Sequence, residues 1–323
     1  MLENIGKFAG DKKEMSEMNR PLVSIITPCY NGERFVKRYF DCILAQTYSP
    51  LELVFINDGS TDKTEEIALS YRERLEQKGI RYIYEYQENA GQAAALNRGL
   101  KLFTGEYLTW PDSDDVMTPD CIEKKVEFLL ENPDVEMVRS NALFIDEITG
   151  EKKKALTKRH EKKENIFEDL LLVNEYGGCG CYMISRKLFL RCYPDRNIYI
   201  SRAGQNWQLL VPAASYSLCG YLDEDLYWIY EQGQSHSRKK RTYAQMYVRW
   251  DDFMDILLHA LQYSLCNQEY FVKLVRENCA RQKFYYAVEE NNKQMMKTCI
   301  REMRQYGKVT IREYLLFWKK MIF

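Results

Sequence analysis

The sequence predicts an α/β protein: a doubly wound, mostly parallel sheet flanked by helices, with a C-terminal helical extension. Three observations predict it. Short apolar runs rich in β-branched residues alternate with stretches of helical spacing between residues 22 and 110. The connections between them are short, as parallel units covered on both faces require. Beyond about residue 240, apolar positions recur every three or four residues.

The elements follow in order. Residues 1–20 are polar and aperiodic and read as a mobile lead. "LVSIIT" (22–27) is a strand, and "ERFVKRYFDCILAQ" (33–46) sets Phe35, Tyr39, Phe40, Ile43 and Leu44 on one helical face. "LELVFIN" (51–57) is a strand. "TDKTEEIALSYRERLEQ" (61–77) is one helix, opened by an Asp62/Glu65 capping box and stopped at Gly79. "IRYIYEY" (80–86), "QAAALNRGLKLF" (92–103) and "EYLTW" (106–110) continue as strand, helix and strand, with Trp110 in the sheet core. Then the rhythm loosens. "VEMVRSNALFID" is a strand, "TGEKKKALTKRHEKKEN" (149–165) a charged surface loop, and "GGCGCYMISRKLFL" (177–190) a Gly-rich turn running into a strand. The divisions expected are a lead (1–20), a catalytic domain (21–235, with halves 21–135 and 136–235) and a helical region (236–323).

At 323 residues, 46% hydrophobic and 29% charged, the composition is that of a soluble globular protein with more than one subdomain. A net charge of −1 gives no global basic field, so no nucleic-acid partner is expected. The run "HSRKKR" (236–241) reads as a solvated loop or as a contact to phosphate or lipid headgroups. Ten cysteines lie scattered in apolar segments, Cys42 in a helical pattern, Cys192 and Cys219 in strand-like ones. The N-terminus lacks the apolar core of a signal peptide. Reduced thiols in the cytoplasm are therefore expected. "CGC" (179–181) lacks a second Cys pair, and the chain has three histidines, so no zinc site is expected. No run reaches the roughly 18 apolar residues of a membrane span.

Parallel sheets bind ligands beyond the carboxyl ends of their strands. "TPCYNGE", "NDGSTD" and "PDSDD" fall there, carrying Thr27, Tyr30, Asn31, Asp58, Asp112 and Asp114. Asp58 and Ser60 also suit a plain turn. "TPCYNGERF" has one glycine, so the Gly-rich dinucleotide fingerprint is absent. "TWPDSDDV" (109–116) sets three carboxylates together. Clustered anions raise one another's pKa. Either they are solvated on a loop, or Mg2+ or Mn2+ shared with a diphosphate neutralises them.

"VSIITPCYNGERFVKRYFDCILAQTYSPLELVFINDGSTDKT", "ENAGQAAALNRGL" and "GEYLTWPDSDDVMTPD" occur in that order. Together they resemble the catalytic domain of glycosyltransferase family 2, a GT-A fold, over about 22–235. The resemblance implies a metal-dependent, inverting enzyme. It would move a sugar from a UDP-type nucleotide sugar to a carbohydrate or lipid-linked acceptor in surface polysaccharide synthesis. Thr27, Pro28 and Tyr30 would hold the base, Tyr30 by stacking, with Asn31 and Glu33 in the same loop. Asp58 would accept the base N–H, which suits uracil. Asn89, Gly91, Gln92 and Asn97 resemble the family's N-x-G-x-x-x-A-x-N segment, with Gln92 and Leu96 in place of the more usual residues. Asp112, Ser113 and Asp114 resemble the D-x-D motif, Asp114 as metal ligand and Asp112 nearer the ribose or sugar. Asp115 reads equally as helix cap or catalytic acid. His236 would reach the diphosphate or metal, or is an exposed loop histidine.

One departure matters. Inverting relatives carry a Glu-Asp pair where this chain has "SRAGQNWQLLVPA", with Gln205 and Asn206. Amides cannot act as general base. The base then lies elsewhere, with Asp223, Glu224 or Asp225 as turn residues or candidates, or the protein binds nucleotide sugars without transfer. Gln205, Asn206, Trp207 and Gln208 would shape the acceptor pocket with Gly178. A nucleotidyltransferase would need a Gly-rich phosphate loop, which is lacking. The tail "TIREYLLFWKKMIF" (310–323) reads as a docked helix or as an interfacial helix on anionic lipid.

Overall fold

The computed structural model describes residues 20–155, 163–201, 204–231 and 241–322. His236, residues 156–162 of the charged loop and residues 1–19 of the N-terminal lead lie outside them.

One sheet of nine strands runs through the described residues. Its first half is parallel: β1 (Val23–Cys29), β2 (Leu51–Asp58), β3 (Arg81–Gln87) and β4 (Tyr107–Thr109), in the order β3-β2-β1-β4. All eight positions of β2 are buried, as expected of a strand covered on both faces. The covering helices are α1 (Val36–Ala45), α2 (Thr64–Ser70), α3 (Arg72–Gln77) and α4 (Gln92–Leu102). α1 buries Tyr39, Phe40 and Ile43, and Phe40 stacks on Tyr71 at 4.9 Å. α4 lies so close to β1 that a Cβ at Gly99 would overlap Ile26, so only glycine permits this approach.

The second half is mixed. β5 (Val116–Met117) precedes α5 (Cys121–Glu131), β6 (Met137–Asp146) and β7 (Lys152–Lys154). After α6 (Phe167–Leu171) and a tight turn at Cys179–Cys181 come β8 (Tyr182–Ser185), α7 (Arg186–Cys192), α8 (Gln205–Tyr216) and β9 (Cys219–Glu231). β8 joins β4 antiparallel, and the order continues β8-β6-β9-β5, with β7 on β6. Four helices follow: α9 (Tyr243–Gln262), α10 (Gln268–Glu290), α11 (Lys293–Tyr306) and α12 (Ile311–Ile322). α9 opens on a capping box of Thr242 and Gln245. A separate core cluster of Tyr247, Phe284, Met296, Ile300 and Met303 joins α9, α10 and α11.

Four local expectations need correction. The helix expected over 61–77 is two helices broken at Tyr71. No capping box forms there: Asp62 accepts from the Thr64 and Glu33 N–H groups, both at 3.0 Å, tying two loops together. Gly79 does stop the chain, at φ +78°. "RKLFL" is helical, because Ser185 caps it by accepting from Leu188 N–H at 2.9 Å, so Cys192 ends a helix. Asp223–Asp225 lie inside β9, next to a shift in the β6–β9 register, and Asp225 accepts from Asn141 at 2.8 Å. The ten thiols are free, nine of them buried. No helix of the described residues is long and apolar enough to cross a membrane.

Candidate functional site

The loops after β1, β2 and β3 are sewn into one rim. Asn31 sits at φ +50°, a conformation asparagine tolerates, and its side-chain oxygen accepts from Thr61 N–H at 2.8 Å. Its own N–H donates to Ser60 at 3.0 Å, and Glu33 accepts from Lys63 N–H at 3.1 Å. Asp58 is 3% exposed. Its carboxylate accepts from Gln87 at 2.7 Å, Ala90 N–H at 2.9 Å and Gly91 N–H at 3.0 Å, while Asn89 donates to its backbone carbonyl at 3.0 Å. Asp58 thus organises the 88–91 turn, where Gly91 takes φ +90°. Tyr30 stands 52% exposed beside this rim, and Pro28 is partly buried. Thr27 is fully buried, its hydroxyl shared with Tyr39 and the Pro111 carbonyl, so it braces the strand ends and does not face solvent. Asn97 is equally internal and pairs with both backbone groups of Ile198 at 2.8 Å.

The acidic triplet lies just past β4. One carboxylate oxygen from each of Asp112, Asp114 and Asp115 falls within 4.8 Å of the others. Tyr227 and Tyr230 of β9 hold the loop. The Asp112 N–H donates to the Tyr227 hydroxyl at 3.1 Å, and Asp115 accepts from Tyr230 N–H at 3.2 Å. Asp115 caps no helix. Gln92, the first residue of α4, donates to Asp112 at 2.9 Å and draws the positive helix end toward the cluster. Arg38 stacks on Tyr230 at 3.6 Å, pairs with Glu147 at 2.8 Å and donates to the Asp114 carbonyl at 2.8 Å. Ser113 is buried against the Cys29 thiol.

Burial raises the Asp112 carboxyl to about 6, with the Asp114 charge adding to it. Burial likewise raises Asp114, partly relieved by Arg38. Asp115 stands well above the usual range through burial and then the charges of Asp114 and Asp112. Three crowded carboxylates, each raised above its usual range, have the donor set and spacing that one hard divalent cation neutralises. The residues fit Mg2+ or Mn2+.

The cluster opens into a cleft of about 960 Å³. Gly204–Trp207 at the start of α8 line it, with Gly178 and, from α9 and just before it, Arg241, Arg249 and Asp252. Trp110 is 2% exposed and donates to Asn206 at 3.2 Å. The Trp207 ring lies over Gly177, where a Cβ would overlap it. Gln208 does not line the cleft: it is 1% exposed and donates to the Tyr199 carbonyl at 2.9 Å. It lies where α8 passes into the interior, the helix being buried on all sides from Gln208 to Ala214.

Sequence reasoning missed Arg38, Tyr227, Tyr230, Arg249 and Asp252. The tyrosines sit in a strand more than a hundred residues from the triplet. Arg249, Asp252 and Phe253 are spaced as one helical face, which read as ordinary amphipathic helix.

Over 117 residues the chain is 46% identical to an uncharacterized glycosyltransferase of Rickettsia typhi, covering 36% of this chain and 35% of that protein. It is 29% identical to the glycosyltransferase GlyA of Streptococcus pneumoniae over 218 residues, 65% of this chain and 28% of that protein. The matched stretch thus spans about a third of the length of the Rickettsia typhi and Rickettsia prowazekii relatives. In fold it is similar to S. aureus TarS in complex with UDP, with TM-score 0.63 over 91% of this chain and 82% of that one, at 16% identity. It is also similar to the mannosyltransferase PcManGT of Pyrobaculum calidifontis in complex with GDP-Man and Mn2+, with TM-score 0.56 over 94% and 80%. At 16% identity these likenesses establish the GT-A fold alone. The model of glycosyl transferase family 2 matches residues 24–192, the stretch that carries the strand-end rim and the acidic triplet, and the chain belongs to that family.

Proposed function

We propose that the protein transfers a sugar, with inversion, from a UDP-type nucleotide sugar to a carbohydrate or lipid-linked acceptor in surface polysaccharide synthesis. The observation that carries this reading is the carboxylate triplet within 4.8 Å at the head of an open cleft. TarS in complex with UDP and PcManGT in complex with GDP-Man and Mn2+ support it by likeness of fold.

Asp114, with Asp112 and Asp115, would hold Mg2+ or Mn2+. That ion supplies charge stabilisation to the departing diphosphate. Tyr30 offers a ring to the base, and Asp58 keeps the neighbouring turn in shape while its remaining lone pairs meet the base N–H. Arg241 and Arg249 add positive charge on the far wall of the cleft.

Inversion needs a base on the acceptor side. Gln205 and Asn206 cannot serve. Asp252 lines the same cleft from α9, and partial burial with the Asp251 and Asp255 charges raises its pKa, which strengthens it as a proton acceptor. We assign it that role. The second reading, binding without transfer, is favoured by the Gln205–Asn206 pair.

The test is a screen of nucleotide sugars for Mn2+-dependent binding and sugar release. Binding of a UDP-sugar only with the cation, and turnover with acceptor, is expected. Binding without turnover on any acceptor selects the second reading, and no binding of any nucleotide sugar overturns both. Asp252→Asn should lower kcat and spare donor binding.

A further inference from the structure

α12 docks through one face and leaves another bare. On the docked side Glu313 is 1% exposed, pairs with Arg281 at 2.8 Å and accepts from Thr310 N–H at 2.7 Å. Leu316 and Phe317 pack on the α9–α11 core, and Arg304 donates to the Tyr314 hydroxyl at 2.9 Å. On the other side Ile311, Leu315, Trp318 and Ile322 are 79%, 67%, 58% and 70% exposed. Their spacing of four, three and four makes one continuous stripe along the helix. Scattered apolar residues on a surface need no explanation, but a stripe along a whole helix marks a contact.

The charge around the stripe identifies the partner. Residues 293–322 carry eight Lys or Arg and two Glu, a net +6 in a chain whose total is −1. Both acids are turned to the protein: Glu313 to Arg281, and Glu302 toward Lys283 at 3.9 Å. The charged neighbours left on α12 are Arg312, Lys319 and Lys320, and Lys293 of α11 reaches the Met321 carbonyl at 3.4 Å. Two copies of this chain meeting through α12 would bring like charges together in an apolar contact. An acidic, two-phase surface suits both features, taking the aliphatic and indole groups below its headgroups and the cations among them. Twelve residues are too few to span a bilayer, which takes about 20, so the helix lies in the interface plane.

We propose that the outer face of α12 binds the surface of an anionic phospholipid membrane. This stands independently of the transferase reading. With it, the cleft would work in the plane where a lipid-linked acceptor resides.

The full chain should co-sediment with phosphatidylcholine vesicles containing phosphatidylglycerol, weakly with phosphatidylcholine alone, and less in high salt. The double variant Leu315→Ser/Trp318→Ser should lose roughly tenfold in vesicle partitioning with an unchanged melting temperature. Arg312→Glu/Lys319→Glu should abolish the preference for anionic lipid. Should the double variant fold poorly, vesicles with brominated acyl chains should quench fluorescence of the unaltered protein more than that of Trp318→Phe. Absence of binding to anionic vesicles overturns the proposal. So does undiminished binding of a folded double variant, equal quenching of the two proteins, or a dimer in sedimentation that the double variant abolishes.

Discussion

The Trp110 indole N–H donates to the Asn206 side-chain oxygen at 3.2 Å, joining the end of β4 to the start of α8 across 96 residues. An indole nitrogen only donates. The amide oxygen of Asn206 is therefore the acceptor, and its NH2 group is left for the cleft that Asn206 lines. As an amide it takes no proton. Asn206→Ala should strand a buried N–H and lower stability by about 1–3 kcal/mol. Asn206→Asp keeps the acceptor and should melt close to the native temperature. Thermal unfolding of the pair decides this, and equal losses in both would deny the bond its role.

Asp114→Asn removes the charge that, after burial, raises the Asp112 and Asp115 carboxyls. The metal-free variant should melt no lower than the native chain, since like-charge repulsion is relieved. Mn2+-dependent UDP-sugar binding should vanish in calorimetry. Retained binding would move the cation site elsewhere.

Acidity should oppose the cation. The Asp112 carboxyl is raised from 3.8 to about 6 in the folded chain. Between those values the folded state holds more protons than the unfolded, so this group makes the metal-free protein less stable as pH rises through that window. Mn2+ binds the deprotonated form and competes with the protons. The rise in melting temperature produced by Mn2+ should be small near pH 5 and reach its plateau above about pH 7. A shift independent of pH would exclude the triplet as ligand.

Asp58→Ala deletes three hydrogen bonds that shape the 88–91 turn. Stability should fall by roughly 1–3 kcal/mol, and UDP affinity with it. Lower stability with unaltered affinity would leave Asp58 as an organiser of the turn only.

Gly177→Ala puts a methyl group into the Trp207 ring. The ring must move or the turn must open, at a cost of about 1–3 kcal/mol. The tryptophan emission should change and acceptor turnover should fall, while donor binding holds. Native turnover in this variant would remove Trp207 from the acceptor wall.

What the sequence determined by itself is local. Each of β1 to β4 and their helices repeats its own apolar period, which the chain writes within ten residues or so. The carboxylate triplet falls within four residues, so its crowding, and the need for a cation or solvent, follows from closeness in the chain. Tertiary structure decided what depends on partners distant in the chain. Whether Asp58 is occupied depends on a loop thirty residues on. Whether Gln208 faces the cleft or the core depends on how α8 is rolled against Tyr193 and Tyr199. The strand expected through "KLFL" became a helix because Ser185 caps it, and apolar runs that short fit either period. The tail shows the division most plainly. Its sequence carries apolar residues on more than one side, and both a docked and an interfacial helix accept that pattern. Only the packing of Glu313, Leu316 and Phe317 on the neighbouring helices fixed which side is buried, and so which side is left exposed.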